Sequence, residues 1–296
     1  DLNYFGTTNS RPYLSISLNE FATKISTYVQ NNYTNGTYLL YKTAFMHLIN
    51  LLGKNKSVYD ITINDIEAYK NEHIKRLAPP TLNKYIKYIS AAFNLGIKWK
   101  ILSENPAKGI SKLKEIQREK SIFEPEELNK LIETIEQSEI KILVWFGFYT
   151  GCRLSELLNL QWKDIDLKKY VITIRNKANF KTKTGKIRKI PISSKLMKII
   201  HEIQFTFDED YIFKTSTGKP YTKDYAGEIV RKSIRKAGLP QYLHFHCLRH
   251  TFITELLRKN VNLFYVSKLA GHSNISTTMG YIFTDTEEYR KAINLL

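Results

Sequence analysis

Hydrophobic residues recur at helical spacing in the first part of the chain. Residues 17–20 read Ser-Leu-Asn-Glu, the pattern of a helix capping box, and Ile16 and Phe21 are placed to form a hydrophobic staple across it. We therefore expect the first helix to begin at this box. Further helices are predicted from about Thr37 to Leu52 with its end at Gly53, from near Asn64, and after Pro79-Pro80.

The helix predicted after Pro79-Pro80 has two contrasting faces. Apolar residues at helical spacing predict its buried face: Leu82, Ile86, Ile89, Phe93 and Ile97. The opposite face is polar and basic: Asn83, Lys84, Lys87, Ser90 and Asn94. Such a face is typical of a contact with DNA phosphates, and it is equally typical of a surface that meets only solvent. Asn83, Lys84 and Lys87 are the candidates for DNA binding.

The pattern changes after residue 103. Residues 103–121 contain Asn-Pro, a glycine and a run of mixed charge, which predicts a linker. Glu124-Pro125-Glu126 then marks a helix start, and the apolar run from Ile142 to Tyr149 indicates a buried helix. Strand-like alternation follows at residues 170–174 and 187–192, around a Thr184-Gly185 turn. The predicted class is mainly α with a small β-sheet (α+β): a helical domain 1–112, a linker 113–121 and a larger domain 122–296.

The net charge of the chain indicates a polyanionic partner. The net charge is +17 at pH 7, with 16 basic against 8 acidic residues in 1–118 and 29 against 20 in the remainder. Both parts are basic, as expected of two domains that grip one nucleic acid; an anionic membrane surface is the other class of partner. No apolar run approaches the ~18 residues that a membrane span requires, which favours nucleic acid over a membrane protein.

The chain contains two cysteines, Cys152 and Cys247. They provide neither a zinc-ligand set nor a disulfide framework. A reducing compartment is the simplest inference, so we expect a cytoplasmic protein.

Residues that suit phosphoryl transfer occur in four patches of the second half. The patches are Thr-Gly-Cys-Arg-Leu-Ser-Glu at 150–156, Lys-Thr-Lys-Thr-Gly at 181–185, His-Cys-Leu-Arg-His at 246–250, and a stretch from residue 271 to the tyrosine at 281. The catalytic candidates that they supply are Arg153, Lys183, His246, Arg249, His272 and Tyr281.

The chemistry of these residue types explains the choice. Guanidinium groups bind phosphate oxygens bidentately and stabilise the charge of a five-coordinate transition state. A tyrosine hydroxyl, whose ordinary pKa is about 10, becomes a useful nucleophile in a cationic pocket beside a histidine. A lysine on a hairpin can protonate the leaving oxygen. Because arginines supply the positive charge, we expect no metal ion.

The order of these residues resembles the signature of the tyrosine recombinase (phage integrase/Xer) family. The surrounding stretches TGCRLSELLNL, HCLRHTFITELL and LAGHSNISTTMGYI are similar as well, and the likeness covers about residues 122–285. The first half is similar in pattern to the helical core-binding domain of that family. The resemblance implies a two-domain architecture, with a core-binding domain followed by a catalytic domain.

The resemblance also implies a role for each candidate. Tyr281 would attack the scissile phosphate, leaving a 3′-phosphotyrosine and a free 5′-hydroxyl, with Lys183 as the general acid and His246 assisting proton transfer at the nucleophile. The phosphate would be held by three side chains: Arg153, Arg249 and His272. Glu156 would support Arg153, whereas His250 has no catalytic place in the family pattern and is interpreted as structural.

The partners implied by the resemblance are double-stranded DNA target sites and three further copies of the chain. Members of the family work as homotetramers on two DNA sites, linked by exchange of a C-terminal helix, for which residues 286–296 are the candidate. Accessory proteins are optional partners, and the nucleoid is the expected location. No cofactor is implied, because the phosphotyrosine link preserves the energy of the broken bond.

Three other interpretations compete with this one. A type IB topoisomerase has similar chemistry but relaxes supercoils as a monomer. A DNA-binding regulator with an inactive site is disfavoured by the full set of candidate residues. A zinc hydrolase would use His246 and His250, but Cys247 stands where the His-Glu-x-x-His motif has its glutamate.

Overall fold

In the computed structural model, which describes residues 16–116, 120–183, 185–203, 205, 207–215, 217–282, 290 and 293–294, Ser17 caps the first helix as its sequence predicts. The hydroxyl of Ser17 accepts a hydrogen bond from the backbone N of Glu20 at 3.2 Å. In return, the Glu20 carboxylate accepts one from the backbone N of Ser17 at 2.8 Å. Two backbone donors that the helix itself cannot satisfy are thereby paired.

Residues 1–117 form one of two units into which the chain divides. The α-helices of its described part are α1 Leu18–Asn32, α2 Asn35–Leu52, α3 Ile63–His73 and α4 Pro79–Lys98. Their apolar faces meet in one core, where the rings of Phe21 and Phe93 stack with centroids 5.7 Å apart and Phe45 packs against both. Helical spacing of apolar residues thus gives four helices with one shared core.

Two helices begin within two residues of their predicted starts, and a threonine caps each of them. Helix α2 begins two residues before Thr37, since the Thr34 hydroxyl accepts a hydrogen bond from the backbone N of Thr37. Helix α3 begins at Ile63, next to the predicted start near Asn64, but its cap is Thr62, which forms a capping box with Asp65. The predicted end of α2 at Gly53 is confirmed, and this glycine has a φ of +88°.

Asn83 does not lie on the exposed face of α4, where the sequence placed it with Lys84 and Lys87. Its side chain is buried, and its Nδ2 donates to the carbonyl of Leu113 at 2.9 Å and to Glu115 Oε1 at 2.8 Å. Its Oδ1 accepts from the backbone N of Leu113 at 2.9 Å. The amide therefore ties the segment up to residue 115 onto α4, and only the two lysines of the candidate set are exposed.

Residues 118–296 form the second unit. Its described helices are α5 Pro125–Thr134, α6 Ser138–Thr150, α7 Leu154–Leu158, α8 Ser194–His201, α9 Lys223–Lys236, α10 Phe245–Arg258, α11 Leu263–Ala270 and α12 Ser276–Met279. Helix α6 contains the predicted buried apolar run. The class expected from the sequence, mainly α with a small β-sheet, is confirmed.

A small antiparallel sheet in this unit comprises β1 Ile165–Asp166, β2 Val171–Ile174 and β3 Arg188–Pro191, in the order β1-β2-β3. Strands β2 and β3 fall within the two predicted segments, whereas the two-residue β1 carried no alternation to reveal it. In the register, Ile172 pairs with Ile165 on one side and with Ile190 on the other. All three are buried, so one face of the sheet contributes to the core of the unit.

Of the segment 286–296, predicted to be an exchanged helix, only residues 290, 293 and 294 lie within the described part, so that prediction falls outside it. Within the described residues, no helix combines the length and the apolar character that a membrane crossing needs.

Candidate active site

Arg153 is delivered to the site by a tight bend between α6 and α7. Helix α6 ends at Gly151, whose φ of +61° lies in the left-handed region. A Cβ at this position would stand 2.3 Å from the ring of Phe252, so only glycine fits both the backbone and the packing. Two residues later Arg153 occupies the N-cap of α7, which fixes its backbone at the edge of a cleft.

A buried carboxylate orients Arg153. Glu156, in the first turn of α7, accepts hydrogen bonds from the backbone N of Arg153 at 2.9 Å and from its Nη1 at 3.0 Å. Arg188 of β3 binds the same carboxylate through Nη1 at 3.1 Å and Nη2 at 2.6 Å. Burial raises the pKa of Glu156, but the hydrogen bonds and charges of Arg188 and Arg153 outweigh it and leave the pKa below its ordinary value.

Arg249 of α10 is one of the most buried charged side chains in the described part, with 2% exposure. Its Nη1 donates to the carbonyl of Gly151 at 2.8 Å, at the bend that carries Arg153. Its Nη2 is buried and has no hydrogen-bond partner among the described residues. Burial, followed by the charge of Arg153, lowers the pKa of Arg249 to about 10, so the group stays cationic at neutral pH. A buried, unsatisfied cationic donor is suited to an anionic ligand.

His246 and His250 stand one turn apart on α10, with ring centroids 4.9 Å apart. The ring of His246 faces the cleft. Desolvation by the surrounding protein, followed by the charges of His250 and Arg249, lowers its pKa to about 4. His250 donates through Nδ1 to the carbonyl of Ser121 at 3.2 Å and places its ring 5.6 Å from that of Tyr281. The residue interpreted as structural thus lies directly beside the candidate nucleophile.

His272 and Tyr281 come from the turn region after α11. The rings are nearly parallel, 6.2 Å apart, and Nδ1 of His272 shares a hydrogen bond of 2.7 Å with Oγ1 of Thr278. Burial, then the charges of Arg249 and Arg153, lower the pKa of His272 to about 4. Burial also raises the pKa of the Tyr281 hydroxyl above its ordinary value, although both arginines act in the opposite direction. At neutral pH, His246 and His272 of the free protein are therefore neutral and the Tyr281 phenol is protonated.

The predicted hairpin is confirmed, because β2 and β3 pair antiparallel, and Lys183 lies in the connection between these two strands. Thr182 is buried and bonds Asn176 through its backbone N at 2.8 Å and its hydroxyl at 3.0 Å. Lys181 and Lys183 on either side of it are both exposed. Of these two lysines, Lys183 lines the cleft and Lys181 does not.

The structure brings every catalytic candidate to one cleft of about 940 Å³ in the second unit. The cleft is lined by the predicted residues Arg153, Lys183, His246, Arg249, His272 and Tyr281, together with His250 and basic residues of α9. Arginine, lysine and histidine side chains from separate stretches of the sequence between residues 153 and 272 thus surround one tyrosine. The arrangement can bind an anion, stabilise added negative charge on it and offer a hydroxyl to it.

Two contributors were not found by sequence reasoning. Arg188 fixes Glu156 from β3, and Lys120 places its Nζ 3.3 Å from the centroid of the Tyr281 ring. The only feature of the sequence that could have pointed to Arg188 is its position in the predicted strand 187–192, five residues after Lys183. Lys120 lay in the mixed-charge run interpreted as a linker, where nothing in the sequence separated it from its neighbours.

Comparison with known proteins identifies the family. Residues 121–288 match the phage integrase family, and residues 17–114 match the phage integrase SAM-like domain. A tyrosine recombinase of Pseudothermotoga lettingae is 32% identical over 250 residues, covering 80% of this chain and 85% of the relative. The tyrosine recombinase XerC of Bacillus pumilus is 28% identical over 290 residues, covering 89% of this chain and 90% of the relative.

Solved structures share the fold. The Tn1549 transposon integrase in complex with a circular intermediate DNA has a TM-score of 0.79 at 20% identity, covering 95% of this chain and all of that chain. A lambda integrase dimer bound to a core site has a TM-score of 0.74 at 17% identity, covering 90% of this chain and 77% of that chain. The family match spans more than half of the sequence, and the chain therefore belongs to the phage integrase family, whose members are tyrosine recombinases.

Proposed function

We propose that this enzyme cleaves and rejoins double-stranded DNA at specific sites through a 3′-phosphotyrosyl link to Tyr281 and a Holliday junction. The observation that carries the proposal is the convergence of all the catalytic candidates on one cleft. The same residues scattered over separate surfaces would support no such chemistry. The solved relatives bound to DNA support a DNA substrate.

The scissile phosphate binds between the two arginines of the cleft. Arg249 offers its buried Nη2, and Arg153, held by Glu156, offers the donors that the carboxylate leaves free. Each pair of donors can meet nonbridging oxygens of the phosphate. Because both guanidinium groups are held by protein contacts before DNA arrives, little reorganisation is needed as charge grows in the transition state.

His272 adds a further donor to this phosphate. If the Thr278 hydroxyl donates to Nδ1 of His272, the ring proton is fixed on Nε2, the nitrogen on the other side of the ring. Nε2 then donates to a nonbridging oxygen. A neutral imidazole suits this task, and its lowered pKa of about 4 is consistent with it.

Proton transfers complete the reaction at both ends of the broken bond. The oxygen of Tyr281 attacks phosphorus, its proton passes to His246, and the bond from phosphorus to the 5′ oxygen breaks. Lys183 protonates that oxygen, which leaves a free 5′-hydroxyl. In the free protein the Tyr281 pKa is raised, so attack requires a base; the anionic phosphate raises the proton affinity of the neighbouring His246.

The helical unit 1–117 supplies further DNA contacts, with Lys84 and Lys87 on the exposed face of α4 as the phosphate-binding candidates. The division into a core-binding and a catalytic domain, assembly as a homotetramer on two target sites, and a place at the nucleoid in the cytoplasm follow from the family likeness and belong to this proposal. The formal charge of +17 supports binding to a polyanion.

A suicide substrate tests the proposal directly. DNA flanking the gene, nicked so that the cleaved end diffuses away, should trap an adduct that survives denaturing electrophoresis. Tyr281→Phe should bind the DNA with unchanged affinity and form no adduct. Tyr265→Phe is the matched control, since Tyr265 is 63% exposed on α11 and lies outside the cleft; it should form adduct normally.

Persistence of adduct in Tyr281→Phe would remove the nucleophile assignment. The product assay separates the competing activities. Strand exchange between two paired sites supports the recombinase, whereas relaxation of supercoiled DNA without pairing of sites would support a topoisomerase.

A further inference from the structure

Lys120 makes a set of contacts with the segment that carries Tyr281, and none of the roles assigned above uses it. Its Nζ lies 3.3 Å from the centroid of the Tyr281 ring. The same Nζ donates to the carbonyls of Gly280 at 3.0 Å and Thr277 at 3.3 Å. All of its described partners therefore belong to the nucleophile or to the four residues before it.

Residues 120–123, which we call the strap, are fixed to α10 at two further points. The carbonyl of Ser121 accepts the hydrogen bond of His250, at 3.2 Å. The backbone N of Phe123 donates to Oγ1 of Thr251 at 2.8 Å, and the Phe123 side chain is buried in the core. Helix α10 also carries Arg249 and His246. The strap therefore connects the nucleophile to the helix that positions these two catalytic groups.

The local chemistry explains why a lysine stands at the end of the strap. Helix α12 is a single turn, so its last carbonyls have few partners within the helix. An ammonium group has three donor hydrogens and no acceptor, which suits two carbonyls and an aromatic face at once. A Cβ at Gly280 would stand 3.1 Å from Lys120 Nζ, so a glycine there gives the lysine its close approach.

We infer that Lys120 is a positioning residue that holds Tyr281 in the cleft in the geometry required for attack. This inference rests on the proposed function, because it takes Tyr281 as the nucleophile. The described contacts of Lys120 Nζ are with Tyr281, Gly280 and Thr277, so we infer that it acts through the tyrosine. A misplacement of about 1 Å can cost about 10²-fold in rate even when the substituted residue is remote from the chemistry.

The first test measures the single-turnover rate of adduct formation at saturating DNA. Lys120→Met removes the cation and the donors while keeping the length of the side chain, and should lower this rate by about 10²-fold with unchanged DNA affinity. Lys120→Arg keeps both features and should restore most of the rate. Lys195→Met, on the exposed face of α8, is the matched control and should behave as wild type.

A bridging 5′-phosphorothioate separates this role from proton donation. Its sulfur leaves without protonation, so a defect in the general acid is relieved and a defect in the placement of the nucleophile is not. The slow cleavage by Lys120→Met should persist on the sulfur substrate. The inference would be overturned if the sulfur substrate relieved the defect or if Lys120→Met cleaved at the wild-type rate. It would also be overturned if Lys120→Arg failed to restore the rate, or if Lys120→Met lost only DNA affinity.

A second measurement needs no DNA. With 3-fluorotyrosine placed at position 281, the fluorine resonance reports the environment of the ring, and Lys120→Met should shift it while Lys195→Met should not. Should Lys120→Met fail to fold, Lys120→Gln retains an amide donor without the cation and must show the same shift. An unchanged resonance overturns the inference. Absence of adduct in the wild-type protein, with the fluorine shift present, would instead overturn the proposed function.

Discussion

Arg188 of β3 holds the Glu156 carboxylate with both of its terminal nitrogens, at 3.1 and 2.6 Å, and the same carboxylate orients Arg153 on α7. The side chains of Glu156 and Arg188 are 1% and 8% exposed. One buried anion therefore links the small sheet to the helix whose N-cap is Arg153, the proposed phosphate ligand. The link makes the placement of Arg153 depend on a residue that does not itself line the cleft.

Removal of Arg188 should destabilise the protein strongly. Arg188→Met leaves a buried carboxylate with a single arginine partner, and breaking a buried pair on one side typically costs about 3–5 kcal/mol. Arg258→Met breaks the exposed pair with Glu255 and should cost about 0–1 kcal/mol. Denaturant unfolding of both variants measures the two values. Equal losses would show that the Arg188 contact contributes no more than a surface ion pair.

The stabilisation by Arg188 should also depend on pH. The pKa of Glu156 in the folded protein lies below its ordinary value of 4.5, so the unfolded chain binds protons more readily in the window between the two values. The contribution is therefore complete above pH 4.5 and is lost as the pH falls through the lower, folded pKa. The difference in unfolding free energy between wild type and Arg188→Met should narrow in that window. A difference independent of pH would argue against an ionised Glu156.

Substitution of Asn83 on α4 should lower the stability of the protein, whereas substitution of its lysine neighbours should weaken DNA binding. Asn83→Ala removes the buried bonds to Leu113, and a buried partner left unsatisfied costs about 1–3 kcal/mol. We expect this variant to lose stability while keeping the salt dependence of DNA binding. A change in the salt dependence at normal stability would restore Asn83 as a DNA contact.

Lys84→Ala combined with Lys87→Ala should weaken DNA binding at unchanged stability. Each lost phosphate contact lowers the slope of log affinity against log salt by about 1. Lys24→Ala with Lys42→Ala removes the same net charge from α1 and α2 and serves as the control. An equal fall in slope for both double variants would attribute the effect to net charge and not to the face of α4.

His246 and His272, whose pKa values are lowered to about 4, give a pH prediction for catalysis. In the proposed mechanism a neutral His246 accepts the proton of Tyr281, so kcat/KM should not fall as the pH drops through the ordinary histidine pKa of 6.5. It should fall only as the pH approaches about 4. An NMR titration of the free protein should place the midpoints of His246 and His272 near 4. A midpoint near 6.5 would contradict the neutral state assumed in the mechanism.

The lowered pKa values of these two histidines should also make the protein less stable at acidic pH. Their folded pKa values lie below 6.5, so the unfolded chain takes up protons first as the pH falls. The free energy of unfolding should therefore decrease between pH 6.5 and about 4. His246→Gln should weaken this decrease. An identical pH dependence in wild type and variant would mean that His246 titrates alike in both states.

The catalytic candidates could be predicted from the sequence because each lies in a short local pattern. Gly151 before Arg153, and Arg249 three residues after His246, are relationships along the chain that hold in any fold. Helices followed from apolar spacing, and β2 and β3 followed from alternation. The threonine caps at Thr34 and Thr62 were equally local, and they were missed because nearby polar residues offered competing starts.

The remaining features depend on contacts between distant segments. Asn83 has the polarity of a surface residue, and only its bonds to Leu113 show that its amide is buried. Lys120 is one lysine in a charged run until the fold places it against Gly280, 160 residues away. Such pairings depend on the folded backbone, and no periodicity of the sequence encodes them.

Cleavage should not depend on a metal ion. Arg153 and Arg249 both line the cleft, and in the proposed mechanism their guanidinium groups supply the positive charge that a metal ion would otherwise supply. We therefore expect adduct formation to be unchanged by excess EDTA, measured on the suicide substrate with and without prior dialysis. Complete loss of adduct that magnesium or zinc restores would contradict this mechanism.

Lys183 and Lys181 should differ as proton donors even though both are exposed beside the buried Thr182. Lys183 lines the cleft that contains Tyr281, whereas Lys181 does not. Removal of a general acid typically costs about 10²–10⁴ in rate. Lys183→Ala should therefore slow adduct formation by about this factor, while Lys181→Ala should mainly weaken DNA binding.

A bridging 5′-phosphorothioate makes this assignment specific. The sulfur leaving group needs little protonation, so cleavage by Lys183→Ala should largely recover on the sulfur substrate. Arg153→Ala should not recover, because the charge on the nonbridging oxygens still requires its guanidinium group. Single-turnover rates on matched oxygen and sulfur substrates measure each recovery. Selective recovery of Lys181→Ala, with none for Lys183→Ala, would place the general acid at position 181, and the lining of the cleft by Lys183 would then reflect phosphate binding.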